Sequence, residues 1–476
     1  MNHLTIKNAT CFLLALFMLT GLGAARSALA AANHEQQTAK LLTLINAARR
    51  SPLTTAAALG LNPAQVLADL PELTKVLTSG LPGLTKNDRL SLTAQLHTDE
   101  MFRNQYYEKD GAYGTTVRQR LANAGYQASL VGETLGLLSF VNLITPDQAV
   151  EHLFRNMFLD ELNPDRTEPR YLLNPLISTV GLAMGSGKME LGGRDYNAYL
   201  TTCDFASDEI TREHLATLER ELVLLINQAR VKPVKTETFL EINRAQCPDS
   251  TLPNPLGLPP MISEPILAET AQLHATEMIN YDYVGPLSPN GTTLETRIAE
   301  AGLPGLSATE GIAWVATEDY PVPEQALQEL LAQLLINDQG TGCKFPSLYH
   351  PLADTVGVSI DLAEMTDLSG ERHGYYLATV DLVQKQEQTY PTLMGVVYRD
   401  ANHDGLYTPG EGVADQPVIY YGAGRHLRSD LEGQINSRVK PGYYLIILFS
   451  STEALQFIEK NVQNHNVWFD IDLNEQ

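Results

Sequence analysis

The sequence predicts an α+β chain: two copies of one helix-then-strand unit, followed by a small all-β domain. Three observations carry this. A set of short residue blocks recurs at one offset over more than a hundred residues. Within each copy, helical spacing of apolar residues comes first and strand-like runs come mostly later, the order expected of helices packed on a small, largely antiparallel sheet. Beyond residue 390 the chain turns β-like around Leu393–Tyr398.

The opening thirty residues carry Lys7, an apolar run from Cys11 to Leu22, and Ser27-Ala28-Leu29-Ala30 ahead of Ala31. That three-part plan predicts a secretory signal over residues 1–30, cleaved after Ala30. No later stretch is long and apolar enough to span a bilayer, so the expected product is not transmembrane and is secreted or periplasmic. The mature length exceeds what one hydrophobic core serves. Three domains are expected, at 38–206, 218–384 and 390–476. Loss of Lys7 and Arg26 with the leader takes the net charge from −23 to about −25. Such a surface repels nucleic acid and anionic lipid, and nucleic acid is excluded as a partner.

The repeat is explicit. Leu44-Ile45-Asn46-Ala47-Ala48-Arg49 returns as Leu225-Ile226-Asn227-Gln228-Ala229-Arg230, each followed by a proline, Pro52 or Pro233. Ala94-Gln95-Leu96-His97 and Met101 return as Ala271-Gln272-Leu273-His274 and Met278, displaced by 177 residues. The same displacement carries Gly114-Thr115-Thr116 to Gly291-Thr292-Thr293, Arg120 to Arg297, Glu133 to Glu310 and Asp204 to Asp381. In each copy the spacing predicts an opening helix (38–50, 218–230) closed before the proline and a second helix (88–104, 264–280). Two further helices (115–124 and 146–159; 292–301 and 323–337) precede strands at 178–184 and 196–205, and at 355–360 and 374–382.

Mature cysteines are Cys203, Cys247 and Cys343, an odd number in an oxidising compartment. Cys247 and Cys343 both lie in turn-rich segments of the second copy, whereas Cys203 lies in a strand-like run of the first. A Cys247–Cys343 disulfide is expected.

These blocks resemble the CAP superfamily, also called SCP, of cysteine-rich secretory, antigen 5 and pathogenesis-related proteins in its bacterial form. The shared features are Ile-Asn-x-Ala-Arg, Ala-x-x-His-x-x-x-Met, Gly-Thr-Thr-x-x-x-Arg, a glutamate-containing turn, Leu173-Asn174-Pro175 before Val180-Gly181, and a closing Tyr-x-x-Thr-x-Asp strand. The resemblance implies a three-layer α-β-α sandwich for each copy. It also implies a cleft in which two histidines and acidic residues hold a divalent metal, but here the histidine positions hold Lys109 and Glu168 in the first copy and Pro286 and Lys344 in the second. Zinc sites need three or four ligands with histidine or cysteine prominent, so no zinc is expected. Of the cleft set only Glu133 and Glu310 remain, as candidate catalytic carboxylates or as acceptors of backbone N–H bonds within their turns.

His97 and His274 stand three residues before Glu100 and Glu277, which would make a two-ligand face. Their place beside Ala94 and Met101, or Ala271 and Met278, instead predicts core histidines satisfied by a backbone carbonyl. No Ser/His/Asp or Cys/His arrangement and no phosphate loop stands at recognisable spacing.

In the C-terminal domain Asp400-Ala401-Asn402-His403-Asp404-Gly405-Leu406-Tyr407-Thr408-Pro409-Gly410-Glu411 fits the D-x-[DN]-x-[DN]-G-x5-E calcium pattern. The expected ligands are Asp400, Asn402, Asp404, the Leu406 carbonyl, Thr408 and Glu411, with Gly405 making the sharp turn. The flanking sequence resembles the B-type repeats of bacterial surface proteins, which implies a calcium-binding β-sandwich. The expected function is a non-catalytic extracellular binding protein with a peptide, lipid or glycan ligand. The alternatives are a secreted hydrolase acting through Glu133 or Glu310 and a structural spacer of a surface assembly.

Overall fold

The computed structural model describes residues 34–141, 144–242, 256–303, 305–336, 347–366, 370, 372–385, 390–449 and 456–474. The predicted leader, Cys247, Cys343 and Lys344 lie outside the described residues. The chain divides into two compact units, Met1–Glu209 and Ile210–Gln476.

Each copy builds one four-stranded sheet with the same strand order. In the first unit a two-residue strand, Thr85–Lys86, runs parallel to Thr179–Leu191, which pairs antiparallel with Arg194–Ala206, and that strand pairs antiparallel with Val131–Phe140. In the second, Ile262–Ser263, Thr355–Thr366, Arg372–Lys385 and Gly305–Ala316 repeat the order. The expected strands are present; Arg194–Ala206 and Arg372–Lys385 run longer at both ends and the other two at the hairpin end, because hairpin pairing continues past the apolar runs. Val131–Phe140 and Gly305–Ala316 are strands where the sequence read a glutamate-containing turn. Gly132 and Gly136 and the mostly half-buried residues after them hide the alternation that marks a strand.

Helices cover both sheet faces. On one lies the central helix, Asp88–Asn104 or Pro265–Tyr281. On the other lie the opening helix and Pro146–Glu161, or Arg212–Val231 and Pro323–Ile336. Leu90 and Leu267 press so closely on Gly181 and Gly357 that a Cβ there would stand 2.1 Å from main-chain carbon, which accounts for the Val-Gly pair in each copy. The first copy does not stop at Pro52. Proline at the first helical position restarts the chain as the helix Pro52–Ala58, followed by Pro63–Asp69 and Thr74–Ser79.

The Ile-Asn-x-Ala-Arg block is structural. Asn46 donates to the Leu84 carbonyl (3.0 Å) and accepts from its N–H (2.7 Å), and Asn227 does the same with Met261 at the same two distances. Buried Arg49 donates to the carbonyls of Pro82, Leu172, Asn174 and Ile177, and Arg230 to those of Pro259, Leu348, His350 and Ala353. Burial pushes both guanidinium groups down to about 10, still charged at neutral pH.

Residues 392–472 form two sheets, one of strands Arg425–Arg428, Pro417–Tyr421, Gly442–Leu448 and Gln456–Val462, the other of Gln434–Arg438, Thr392–Tyr398 and Val467–Asp472. Every residue of Thr392–Tyr398 is buried. By the two-residue period of a strand, Leu393 and Val397 enter the core between the sheets, while Met394, Val396 and Tyr398 join the core of the second copy.

Candidate functional site

The repeated motifs converge beneath one end of each sheet. Gly114 (φ 74°) and Gly291 (φ 84°) turn the chain in the left-handed region. Thr116 then caps the helix Val117–Asn123 in a capping box with Gln119, and Thr293 caps Leu294–Glu300. Arg120 and Arg297 follow on these short helices and reach a strand glutamate.

Glu133 is fully buried. It accepts from Arg120 (2.6 Å) and from Nδ1 of His97 (2.9 Å), and Glu310 accepts from Arg297 and His274, both at 2.8 Å. The histidines are therefore satisfied by a carboxylate, not by a backbone carbonyl as the sequence predicted, because that carboxylate enters from a strand thirty-six residues away. Nor do Glu100 and Glu277 pair with them; these hold the hydroxyls of Tyr106 (2.9 Å) and Tyr283 (3.2 Å). Instead of accepting backbone N–H bonds, Glu133 and Glu310 stand in register opposite Asp204 and Asp381.

This pairing makes a buried dicarboxyl floor in each copy. Glu133 faces Asp204 across the strand pair, while Thr93 donates to Asp204 (2.8 Å) and Thr270 to Asp381 (2.7 Å). Glu133 Oε2 and Asp204 Oδ1 are buried without a donor, and two facing buried carboxyls disfavour charge on both at once. Burial first, then the facing glutamate, raises Asp204 and Asp381 well above the usual carboxylate range. Burial raises Glu133 as well, and the Arg120 guanidinium opposes the rise in both carboxyls. Burial and the Arg120 guanidinium push His97 down to about 4, so its contact with Glu133 is a hydrogen bond from a neutral imidazole.

Above Glu133 opens a cleft of about 880 Å³, lined among others by Tyr106, Tyr107, Lys109, Arg166 and Glu168. Lys109 and Glu168, the two positions where the CAP resemblance places histidines, pair with each other across it. Arg166 pairs with Asp160 and lies 3.8 Å from Glu168. Arg120 donates to the Lys109 carbonyl (3.1 Å), and Arg297 reaches the Pro286 carbonyl (3.5 Å). These positions are held through the main chain, which leaves their side chains free to differ.

The aspartate-rich loop is wound around its own carboxylates. Asp400 accepts from the N–H groups of Asp404 (3.1 Å) and Gly405 (2.7 Å), Asp404 from Leu406 (2.6 Å), and Glu411 from Ala401 (2.8 Å) and Thr408 (2.9 Å). Asn402 donates to the Thr408 hydroxyl (3.0 Å). His403 (φ 60°) and Gly405 (φ 69°) make the left-handed bends. Among the described residues no three His, Cys, Asp or Glu side chains are gathered to hold a metal ion. The second copy clamps this loop: Gln228 exchanges two hydrogen bonds with the Tyr407 main chain (2.7 and 3.1 Å), Glu221 accepts from Gly410 (3.0 Å), and Lys235 donates to the Gly405 carbonyl (2.7 Å). Sequence spacing gives no sign of these partners.

No family model matches this sequence, and no curated protein matches it. Solved structures with some likeness include an extracellular protein containing an SCP domain from Bacillus anthracis, at 14% identity and a TM-score of 0.23 over 40% of this chain and 54% of that one. An outer surface protein from Borrelia burgdorferi follows at 16% identity and a TM-score of 0.19, covering 30% of this chain and 92% of that one. The likeness spans about half the length of the Bacillus protein. At such low TM-scores it extends only to parts of the fold.

Proposed function

We propose that the chain is an exported, non-catalytic binding protein of two CAP-like copies, with the cleft over Glu133 as a receptor for a peptide-like ligand. One observation carries this reading: the cleft is lined by side chains of both charges and by two tyrosines, while its one buried glutamate is sealed from water. A general base must reach the proton it removes. The Glu133 side chain is 0% exposed, and its Oε1 is held by both His97 and Arg120, so it serves as a rigid floor. Lys109, Arg166 and Glu168 offer complementary charge to both ends of a zwitterion. Export rests on the leader-like residues 1–30, and no described helix is long and apolar enough to cross a membrane.

Mass spectrometry of small molecules released from the purified mature protein tests this; bound peptides are expected. Turnover of a peptide library by the wild type that is lost in Glu133→Gln would replace the receptor with a hydrolase, and an empty cleft that binds no peptide would favour a spacer.

A second reading concerns the loop Asp400–Glu411, proposed as a calcium site with Asp400, Asn402, Asp404, the Leu406 carbonyl, Thr408 and Glu411 as ligands. The donors are all oxygen, which suits a hard cation, and Asp404 Oδ2 is buried without a partner. Calcium would supply the charge that lets these carboxylates share one small volume. A calcium titration by calorimetry is expected to show one site lost in Asp404→Ala; no heat of binding at millimolar calcium would remove it.

A further inference from the structure

The second copy has an aromatic cavity walled in part by rings that the first copy does not carry at the equivalent positions. Where the central helix Pro265–Tyr281 ends, the sheet face it covered continues uncapped, leaving a space of about 410 Å³ walled by Tyr283, Trp314, Met365 and Tyr375, with Asp282 and Thr366 also lining it. Trp314 and Tyr375 lie on the same sheet face, opposite Leu377 and Ala316 in the ladder. At the 177-residue displacement the first copy has Leu137 and Ala198 in their places, inside a cluster that Phe102 and Tyr106 help to fill. The shared fold therefore does not require either ring.

The walls are braced. The Tyr283 hydroxyl bonds Glu277, its ring lies 6.3 Å from that of His274, and His373 stands edge-on to Tyr375. At the rim the exposed Asp282 accepts from the Thr366 N–H (3.0 Å) and hydroxyl (2.6 Å), bonds that hold its carboxyl below the usual range. The neighbouring Arg372 pairs with Glu364 (3.6 Å), so the charges around the mouth sum to negative.

We propose that this cavity binds a quaternary ammonium group, with Tyr283, Trp314 and Tyr375 as an aromatic cage and Asp282 as the countercharge. Aromatic rings attract a cation through their quadrupole, and the attraction grows on desolvation. A primary ammonium carries N–H groups that need acceptors, and the lining offers few. A quaternary ammonium has none to satisfy and presents methyl groups to the rings and to Met365.

Calorimetric titration of the full chain with choline tests this, with 3,3-dimethylbutan-1-ol as its uncharged isostere and circular dichroism as the check on folding. Choline is expected to bind at one site, the isostere at least tenfold more weakly. Trp314→Leu and Tyr375→Ala, which install the residues of the first copy, are each expected to weaken choline at least tenfold with the fold intact. If one of them unfolds, the other decides. Sedimentation with phosphatidylcholine against phosphatidylglycerol vesicles tells a lipid head group from a free ligand; preference for phosphatidylcholine, or for free choline alone, both support the cage. Equal binding of the isostere, no binding of choline, or full binding in a folded variant overturns it.

Discussion

The opening helices of the two copies share the Ile-Asn-x-Ala-Arg block but not their surroundings. Helix 34–50 is buried on one face, through Leu41, Ile45 and Ala48, with exposed residues between. Its counterpart is buried without a break from Glu221 to Arg230. The difference is the β-sandwich, which covers the outer side of the second helix and turns Glu221 and Gln228 into partners of Gly410 and Tyr407. One frame has thus been kept twice, by the same asparagine and arginine contacts, while everything outside the frame has diverged: the cleft positions, the aromatic notch and the burial of a helix.

If the frame is shared, breaking it should cost the same in both copies. Arg49→Ala and Arg230→Ala each strip several buried carbonyls of their donor and are expected to destabilise their own unit by at least about 3 kcal/mol, read by urea unfolding. A large loss in one copy with none in the other would break the equivalence.

The buried histidine of the first copy sharpens the comparison through pH. An unfolded histidine takes its proton near 6.5 and folded His97 near 4, so between those values the unfolded chain binds more protons. Stability from this group is complete above about pH 6.5 and falls as pH drops to 4, by up to about 3 kcal/mol. Asp204 acts in the opposite direction: its raised value means its contribution declines as pH rises above the ordinary carboxylate range. His97→Gln should flatten the acid-side slope of the first unit in pH-dependent denaturation; an unchanged slope would place the titrating group elsewhere.

Calcium is expected to act on the second unit alone. At a hundred times a dissociation constant on the order of 10⁻⁴ to 10⁻³ M it would add about 2.7 kcal/mol. Because Tyr407 lies in the core of the second copy, the gain should extend to the helix Arg212–Val231, as slower hydrogen exchange there and no change in residues 34–209. Exchange that slows only within residues 400–411 would uncouple the loop from the copy that clamps it.

The smallest effect is expected at the cleft. The Lys109–Glu168 pair is largely exposed, so Lys109→Ala should change stability by no more than about 1 kcal/mol while altering ligand binding. A larger loss of stability would make the pair part of the frame.

Much of the frame was legible before any coordinates. The displacement of 177 residues predicts two equivalent units, and the apolar spacing predicts the helices that follow Gly-Thr-Thr in each. Less legible were the strands of Glu133 and Glu310, since glycine and half-buried residues blur the period on which strand reading depends. The partner of His97 was hidden for a different reason: local spacing offered Glu100, three positions along the helix, and the apolar face predicted a backbone carbonyl, while the acceptor comes from another element.

By itself, then, the sequence determined the repeat, most of the helices, the two closing strands of each copy and the oxygen-rich side chains of residues 400–411, because each depends on neighbours within a few residues or on self-similarity. Tertiary structure alone decided that Glu133 faces Asp204, that Lys109 meets Glu168, and that Thr392–Tyr398 serves two cores at once. These contacts are fixed by strand register and by the packing of separate elements, and no local pattern of residue types encodes which distant side chain a buried charge will find.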